Sequence, residues 1–192
     1  MMKMLKPWSA ILVLAGLAGC SQLTYTPAAD HNALETTEFM HSLTQQPMIN
    51  YDQACRVALL MADGQETPGT FDERAEELVS RGIVRSEWNL KSENAVDRGT
   101  FAYMIFKAAH MPGGINTRLS SLTGFGDRRY ALREVVRNRV MPYGLPYQIP
   151  TGGEVVAAVA EADDYMARTG VYESTEKEIN SPADLRGGAG GS

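Results

Sequence analysis

Five polar residues, each followed by apolar residues at helical spacing, constrain the fold of this chain more than any other feature. They are Asn50, Thr70, Asp97, Asp127 and Thr151. Side chains of these types accept hydrogen bonds from the unpaired backbone amides at the start of a helix. Behind them, apolar residues recur at the i, i+3 and i+4 positions, as on a helix with one buried face. The pattern predicts an all-α fold of about five helices.

Three of these predicted helix starts also carry the reciprocal pattern of a capping box. In a capping box, the capping side chain accepts from the amide three residues later, and the side chain there accepts from the amide of the capping residue. The three pairs are Asn50 with Gln53, Thr70 with Glu73, and Thr151 with Glu154. Because this pattern is local, it predicts the first residue of each of these helices.

The predicted helices fall into two types when the chain is aligned on its caps. The helices that start at Thr70 and Asp127 share their apolar positions and form the first type. Those that start at Asn50, Asp97 and Thr151 form the second type. The chain therefore reads as one helix of the second type and then two pairs, with a period of about 55 residues. Amphipathic helices share apolar spacing in general, so coincidence is the alternative interpretation.

Two stretches of the chain resemble the paired helices of an S-layer homology module. Phe71–Val84 resembles the first helix and its Gly-Ile exit, Trp88 follows in the loop, and Val96–Met104 resembles the second helix. Arg129–Val140 and Ile149–Asp164 resemble a second, more divergent copy. The resemblance implies degenerate helix-loop-helix repeats over the folded core. It also implies an attachment module that binds cell-wall or surface polysaccharide.

The resemblance marks Arg98 as a ligand-binding candidate. In S-layer homology modules, the second helix opens with a Thr-Arg-Ala-Glu-like segment whose Arg binds an acidic or pyruvylated glycan. Asp97–Thr100 keeps the cap and the Arg but lacks the Glu, and Thr151–Glu154 has Gly where the Arg should be. These departures favour inheritance of the scaffold over inheritance of the binding activity. The alternative for Arg98 is a surface ion pair with Glu93 or Asp97.

Trp88 and three further arginines complete the candidate binding residues. Trp88 lies in the loop between paired helices, where it can stack on a sugar ring or fill the core of the helix pair. Arg129, Arg133 and Arg137 are four residues apart and share one helical face. This positive face is suited to an anionic glycan, lipid headgroups or an acidic protein partner. The alternative is a solvated face that pairs with the protein's own carboxylates.

The N-terminus has the layout of a secretory signal peptide. Met1–Trp8 is basic, and Ser9–Ala18 is an apolar run too short to cross a bilayer. Leu17-Ala18-Gly19-Cys20 resembles the lipobox of bacterial lipoproteins, in which the Cys sulfur receives a diacylglycerol and the signal is cut just before it. The alternative is an ordinary signal peptide with a chance Cys. The resemblance implies a lipid-anchored envelope protein, and Ser21 is compatible with the outer membrane where the cell has two membranes.

The chain divides into four predicted parts. Residues 1–19 are the signal, and residues 20–48 are the lipidated Cys with a polar tether. Residues 49–170 are the helical domain, and residues 171–192 are a flexible tail with a Gly-rich end. Within the predicted tether, Asn32–Ser42 has some helical character, so part of it is expected to dock on the domain. Two or three acyl chains on Cys20 would hold the protein durably on the lipid bilayer.

Composition and motifs exclude most catalytic functions and nucleic-acid binding. The formal net charge is −5, which is too acidic for a nucleic-acid partner. The three histidines have no metal-ligand spacing, and no matched acid/base pair or dinucleotide loop is present. Cys55 has no partner for a disulfide and is expected to be a buried thiol. We therefore expect a non-catalytic glycan-binding attachment module without cofactor or metal. The alternative is a structural or assembly subunit of an envelope protein complex.

Overall fold

The structure is a computed structural model that describes residues 22–28, 30–65, 69–114 and 126–172. These residues contain six α-helices. The predicted all-α class is confirmed, and these ranges contain no strand. The helices are α1 (Thr36–Thr44), α2 (Tyr51–Asp63), α3 (Phe71–Ser80), α4 (Arg98–Ala108), α5 (Asp127–Arg137) and α6 (Gly152–Thr169). Two short 3-10 helices, His31–Ala33 and Ser86–Trp88, precede α1 and α4.

Four of the five predicted caps are confirmed. Asn50, Thr70, Asp97 and Thr151 each accept from the amide three residues later, and all three predicted capping boxes form. The prediction for Asp127 is wrong by one residue, because Gly126 occupies the capping position in the left-handed conformation, with φ 72°. Asp127 is instead the first residue of α5. Its carboxylate therefore lies in the first turn, where it pairs with Arg85.

The helices pack in pairs that differ from the predicted grouping. The most extensive contacts join α2 to α3, α4 to α5 and α1 to α6, while α2 also contacts α4. The predicted repeat instead grouped α3 with α4 and α5 with α6. A short connection from Gly64 to Thr70 brings α3 back onto α2, whereas the connection from α3 to α4 is longer. That the helix pairs are copies of one S-layer homology unit stays a prediction.

The core is centred on α2 and α4. In α4, all residues except Lys107 are buried, so this helix is enclosed on nearly every side. Cys55 on α2 is fully buried, as expected, and desolvation raises the pKa of its thiol to about 12. A thiol in this state is protonated and unreactive at neutral pH.

The predicted boundary between tether and domain at residue 49 is wrong. Residues 36–44 form α1, which packs on α6 and fully buries Phe39 and Leu43. The amide of Gly152 donates to the Gln46 carbonyl at 3.0 Å. Two apolar residues four positions apart give this polar segment one face to bury, which fits the helical character expected within it. The folded unit therefore includes residues well before 49.

Several predicted features lie outside the described residues. They are the signal at 1–19, the lipidation site Cys20 and the Gly-rich end of the predicted tail. Within the ranges that the structure describes, no helix combines the length and apolarity needed to cross a bilayer.

Replacing Gly152 by Ala tests the docking of α1 on α6. A Cβ at residue 152 would lie 1.9 Å from the Leu43 carbonyl oxygen, so we expect Gly152→Ala to destabilise the protein by about 1–3 kcal/mol or more. Gly153→Ala is the matched control, because its Cβ would meet only the Thr44 carbonyl oxygen at 3.8 Å. The control should be neutral or slightly stabilising, since Ala favours a helix. Urea denaturation of both variants measures the difference, and equal stabilities would contradict the close approach.

Candidate ligand-binding groove

Arg98, the candidate ligand contact, lies in the interior. Only 1% of the residue is exposed. Its guanidinium donates to the Glu154 carboxylate and, at 3.1 Å, to the Pro142 carbonyl. The ligand role predicted for Arg98 is therefore wrong, because no ligand reaches it without unfolding this region. The alternative pairing with Glu93 or Asp97 is also wrong, since the partner is Glu154.

Arg98 instead supports the loop that runs from Pro142 to Pro150. The amide of Arg98 donates to the Gln148 carbonyl at 2.8 Å, and the amide of Gly99 donates to the Pro146 carbonyl at 2.6 Å. Gly144 passes so close that a Cβ there would lie 2.6 Å from an Arg98 nitrogen. The loop is thus bonded to the start of α4 at several points.

Glu154 serves both the start of α6 and the ion pair with Arg98. Its carboxylate accepts from the Thr151 amide at 2.9 Å, which completes the capping box. Burial acts to raise the pKa of Glu154, but the hydrogen bonds from Thr151 and Arg98 outweigh it and hold this pKa below its ordinary value. The carboxylate is therefore ionised at neutral pH and neutralises the buried guanidinium.

Trp88 is half-buried and packs against the core. Its ring meets Tyr103 edge-on, with centroids 5.0 Å apart, and the Arg128 guanidinium lies 4.9 Å from its centroid. These contacts favour the packing interpretation of Trp88 over sugar stacking, because protein groups already occupy its surroundings.

The three arginines on α5 are all exposed, as the helical spacing predicts. Arg129 forms no ion pair within the described residues, and Arg133 lies 5.7 Å from the centroid of the Tyr130 ring. Arg137 contacts Glu134 at 3.7 Å but remains 79% exposed. Exposed pairs of this kind are weak. The face therefore keeps most of its positive charge available for a ligand.

A loop that the sequence analysis did not single out faces these arginines. Within it, Tyr143 is 85% exposed, Tyr147 75% and Leu145 48%. They lie in the run Met-Pro-Tyr-Gly-Leu-Pro-Tyr, residues 141–147. The available signal was a set of large apolar and aromatic residues between prolines and a glycine, where no helix can bury them.

The loop and the exposed face of α5 enclose an open groove of about 630 Å³. This volume is within the range of about 300–1,000 Å³ typical of small-ligand sites. The groove is lined by Arg129, Leu132, Arg133, Val136, Arg137 and the loop residues Tyr143–Tyr147. No carboxylate, histidine or cysteine is among these lining residues. The groove is therefore positive, with aromatic and aliphatic surface beside the charge.

The chemistry of the groove fits binding of an anion attached to a flat or apolar body. A guanidinium can donate two parallel hydrogen bonds to a carboxylate or phosphate, and a tyrosine ring offers a face for stacking. The lining residues include no group suited to act as a general base near neutral pH. In the ranges that the structure describes, no cluster of three or more His, Cys, Asp or Glu side chains could hold a metal ion.

Comparison with known proteins gave no match. No protein-family model, no curated protein and no solved structure matches the chain at a significant level. Function is therefore inferred from the geometry and chemistry of the groove.

Removing the Arg98 side chain tests its supporting role. We expect Arg98→Ala to lower the free energy of unfolding by about 1–3 kcal/mol, because it removes the hydrogen bonds from the buried guanidinium to Glu154 and to the Pro142 carbonyl of the loop. Arg137→Ala is the control and should change stability by less than about 0.5 kcal/mol, since that side chain is exposed. Chemical denaturation measures both. A neutral Arg98→Ala would contradict the buried pairing.

The lowered pKa of Glu154 predicts a specific dependence of stability on pH. The ordinary value is 4.5 and the folded value is lower, so the ionised carboxylate contributes stability above pH 4.5. That contribution is lost as the pH falls from 4.5 through the folded pKa. Glu154→Gln keeps a capping side chain but cannot ionise. Over the same acid range, this variant should lose less stability than the unsubstituted protein does, as measured by urea denaturation. Parallel pH profiles for the two proteins would contradict the assignment of this pH dependence to Glu154.

Proposed function

We propose that this protein is a non-catalytic attachment module of the cell envelope, anchored to the lipid bilayer by acylated Cys20, that binds an anionic glycan in the groove. One observation carries the binding proposal: exposed Arg129, Arg133 and Arg137 face exposed Tyr143 and Tyr147 across a groove whose described lining has no carboxylate. The proposal keeps the glycan ligand expected from the sequence but moves its site away from Arg98 and Trp88.

An acidic polysaccharide matches both parts of this lining. Its carboxylate, pyruvate or phosphate groups suit the guanidinium groups, and the C–H face of a sugar ring suits a tyrosine ring. The three arginines repeat at every turn of α5, about 5.4–6 Å apart along the helix axis, so they can contact successive charged units. A repeating anionic polymer therefore uses the groove better than a single small anion does.

The anchoring part of the proposal rests on the N-terminal sequence. The basic start, the apolar run and Leu17-Ala18-Gly19-Cys20 occur together and resemble a lipoprotein signal. Acyl chains on Cys20 would hold the module at the cell envelope, with the outer membrane favoured by Ser21 where the cell has two membranes. The protein would then fasten a glycan layer close to the lipid surface.

A second candidate function is assembly of an envelope protein complex through the same groove. The observation that favours it is the exposure of Leu145 between Tyr143 and Tyr147, next to arginines. Tyrosine and arginine are enriched at the centres of protein interfaces. Under this alternative, stoichiometric partners would co-purify from detergent extracts, and substitution of Leu145 by Asp would release them.

Binding of purified cell-wall polysaccharide tests the glycan proposal. We expect the mature chain to sediment with an acidic fraction but not with the same fraction after chemical reduction of its carboxyl groups. The double substitution Arg129→Ala and Arg133→Ala should weaken binding at least tenfold, since it removes two charge-assisted contacts of about 1.5–3 kcal/mol each. Added salt should weaken binding by the unsubstituted chain.

Arg168→Ala is the matched control for the single variant Arg133→Ala, because Arg168 is exposed on α6 and lies outside the groove lining. It removes one positive charge and should leave binding nearly unchanged. Equal losses in the Arg168 and groove variants would indicate a non-specific charge effect and contradict the site. Sedimentation of the carboxyl-reduced fraction to the same extent would contradict recognition of the carboxylate groups.

A further inference from the structure

The first described residues of the chain are fastened to the domain by an antiparallel pairing. Thr24 pairs with Asn94 as an isolated bridge. The amide of Ala95 donates to the Leu23 carbonyl, and the amide of Tyr25 donates to the Glu93 carbonyl, both at 2.7 Å. We call residues 22–25 the strap. The side chain of Asn94 also donates to that of Gln22, so the contacts begin at the first described residue.

A second set of contacts fastens the chain after the strap. His31 is buried and bonded to Asp52 at 3.0 Å, and Arg74 donates to the same carboxylate. Arg56 donates to the Leu34 carbonyl at 2.7 Å while its guanidinium covers the Phe39 ring at 4.1 Å. Buried charge-assisted bonds of this kind are costly to break. The strap is therefore continuous with a firmly packed segment.

The position of the strap limits the distance between the domain and the acylation site. Cys20 precedes Gln22 by two residues, and each residue spans at most about 3.6 Å, so their Cα atoms are no more than about 7 Å apart. A free tether of 28 residues would instead have a typical end-to-end length of about 30 Å. The domain cannot move that far from the anchor while the strap stays paired.

We propose that the domain sits directly on the bilayer, with the strap and the adjoining turn Lys91–Asn94 facing the lipid headgroups. The inference rests on the proposed acylation of Cys20, which supplies the anchor. The occupant of this surface is the headgroup layer, because acyl chains attached within about 7 Å of Gln22 must enter the bilayer beside it.

The surface carries one large apolar residue and two opposite charges. Leu23 is 54% exposed, although it is a large apolar residue next to the anchor. Lys91 and Glu93 are both exposed on the adjoining turn, and their charges oppose each other. The seating is therefore set by the short covalent connection, and it should not depend on anionic lipid or on low salt.

The strap is also connected to the loop that lines the groove. Arg98, whose amide bonds to the Gln148 carbonyl, follows Ala95 of the strap pairing by only three residues. The loop and the strap therefore attach to neighbouring points at the start of α4. A glycan bound in the groove would thus be linked to the anchor through the start of α4.

Paramagnetic relaxation in nanodiscs tests the seating. The mature chain is coupled through Cys20 to a maleimide lipid in nanodiscs of phosphatidylethanolamine and phosphatidylglycerol that carry a few gadolinium-chelating headgroups. Cys55 does not compete, because it is fully buried with its pKa raised to about 12. We expect amide relaxation several-fold faster at residues 23–25 and 91–94 than at Asp63–Gln65. The latter group lies at the far end of α2, about 20 Å from Asn50.

The matched control is an insertion of twelve Gly and Ser residues between Ser21 and Gln22. It changes none of the described contacts but adds a flexible spacer of about 20 Å. In this variant, the amide relaxation rate at residues 91–94 should fall to the rate at Asp63–Gln65. Identical profiles for the native and insertion chains would overturn the proposal. A native profile that is uniform, or that peaks at 143–147, would overturn it as well.

This experiment separates the seating from the proposed function. A chain that fails to bind acidic polysaccharide loses the glycan proposal but keeps its relaxation profile. Mass spectrometry of Cys20 from cells tests natural acylation independently, because the coupled chain carries its lipid whether or not the cell adds one. The relaxation profile alone therefore decides how close to the bilayer the strap holds the domain.

Discussion

Arginine–carboxylate pairs at the starts of helices hold the separate segments of this protein together. Among the described residues, three such pairs have a largely buried guanidinium: Arg74 with Asp52, Arg85 with Asp127, and Arg98 with Glu154. In each pair the carboxylate lies in the first turn of a helix, where the helix dipole also favours negative charge. The arginine comes from a different element, so each pair fixes the position of one element against the start of another. Removing Glu154, for example, would leave the Arg98 guanidinium buried without a carboxylate partner.

The all-α class and most helix starts could be predicted because capping depends on residues within one turn. The cap at Asn50 is such a case, since Gln53 completes it three residues later. The helix α1 was harder to predict, because Phe39 and Leu43 are the only fully buried residues in a polar segment. Its stability comes from packing on α6, where Gly152 allows the backbones to approach closely. That contact joins residues more than a hundred positions apart, and no local pattern indicates it.

In the candidate site, too, features that depend on nearby residues could be predicted, and those that depend on distant residues could not. The exposed face of Arg129, Arg133 and Arg137 follows directly from helical spacing. The role of Arg98 could not be predicted, because its partner Glu154 lies 56 residues later in the chain. The exposure of Tyr143 and Tyr147 on the loop that lines the groove could not be predicted for the same reason. These tyrosines are exposed because the loop backbone is bonded to the start of α4, and a connector rich in proline and glycine has no periodicity that predicts this.

The start of α4 contacts both the strap and the loop that lines the groove. The residues just before this helix pair with the strap, and its first residue supports the loop that lines the groove. Because α4 is enclosed by the core on nearly every side, neither attachment can shift without disturbing close-packed side chains. The start of α4 therefore links the groove to the strap. This link suits a module whose proposed task is to attach a glycan to a proposed lipid anchor.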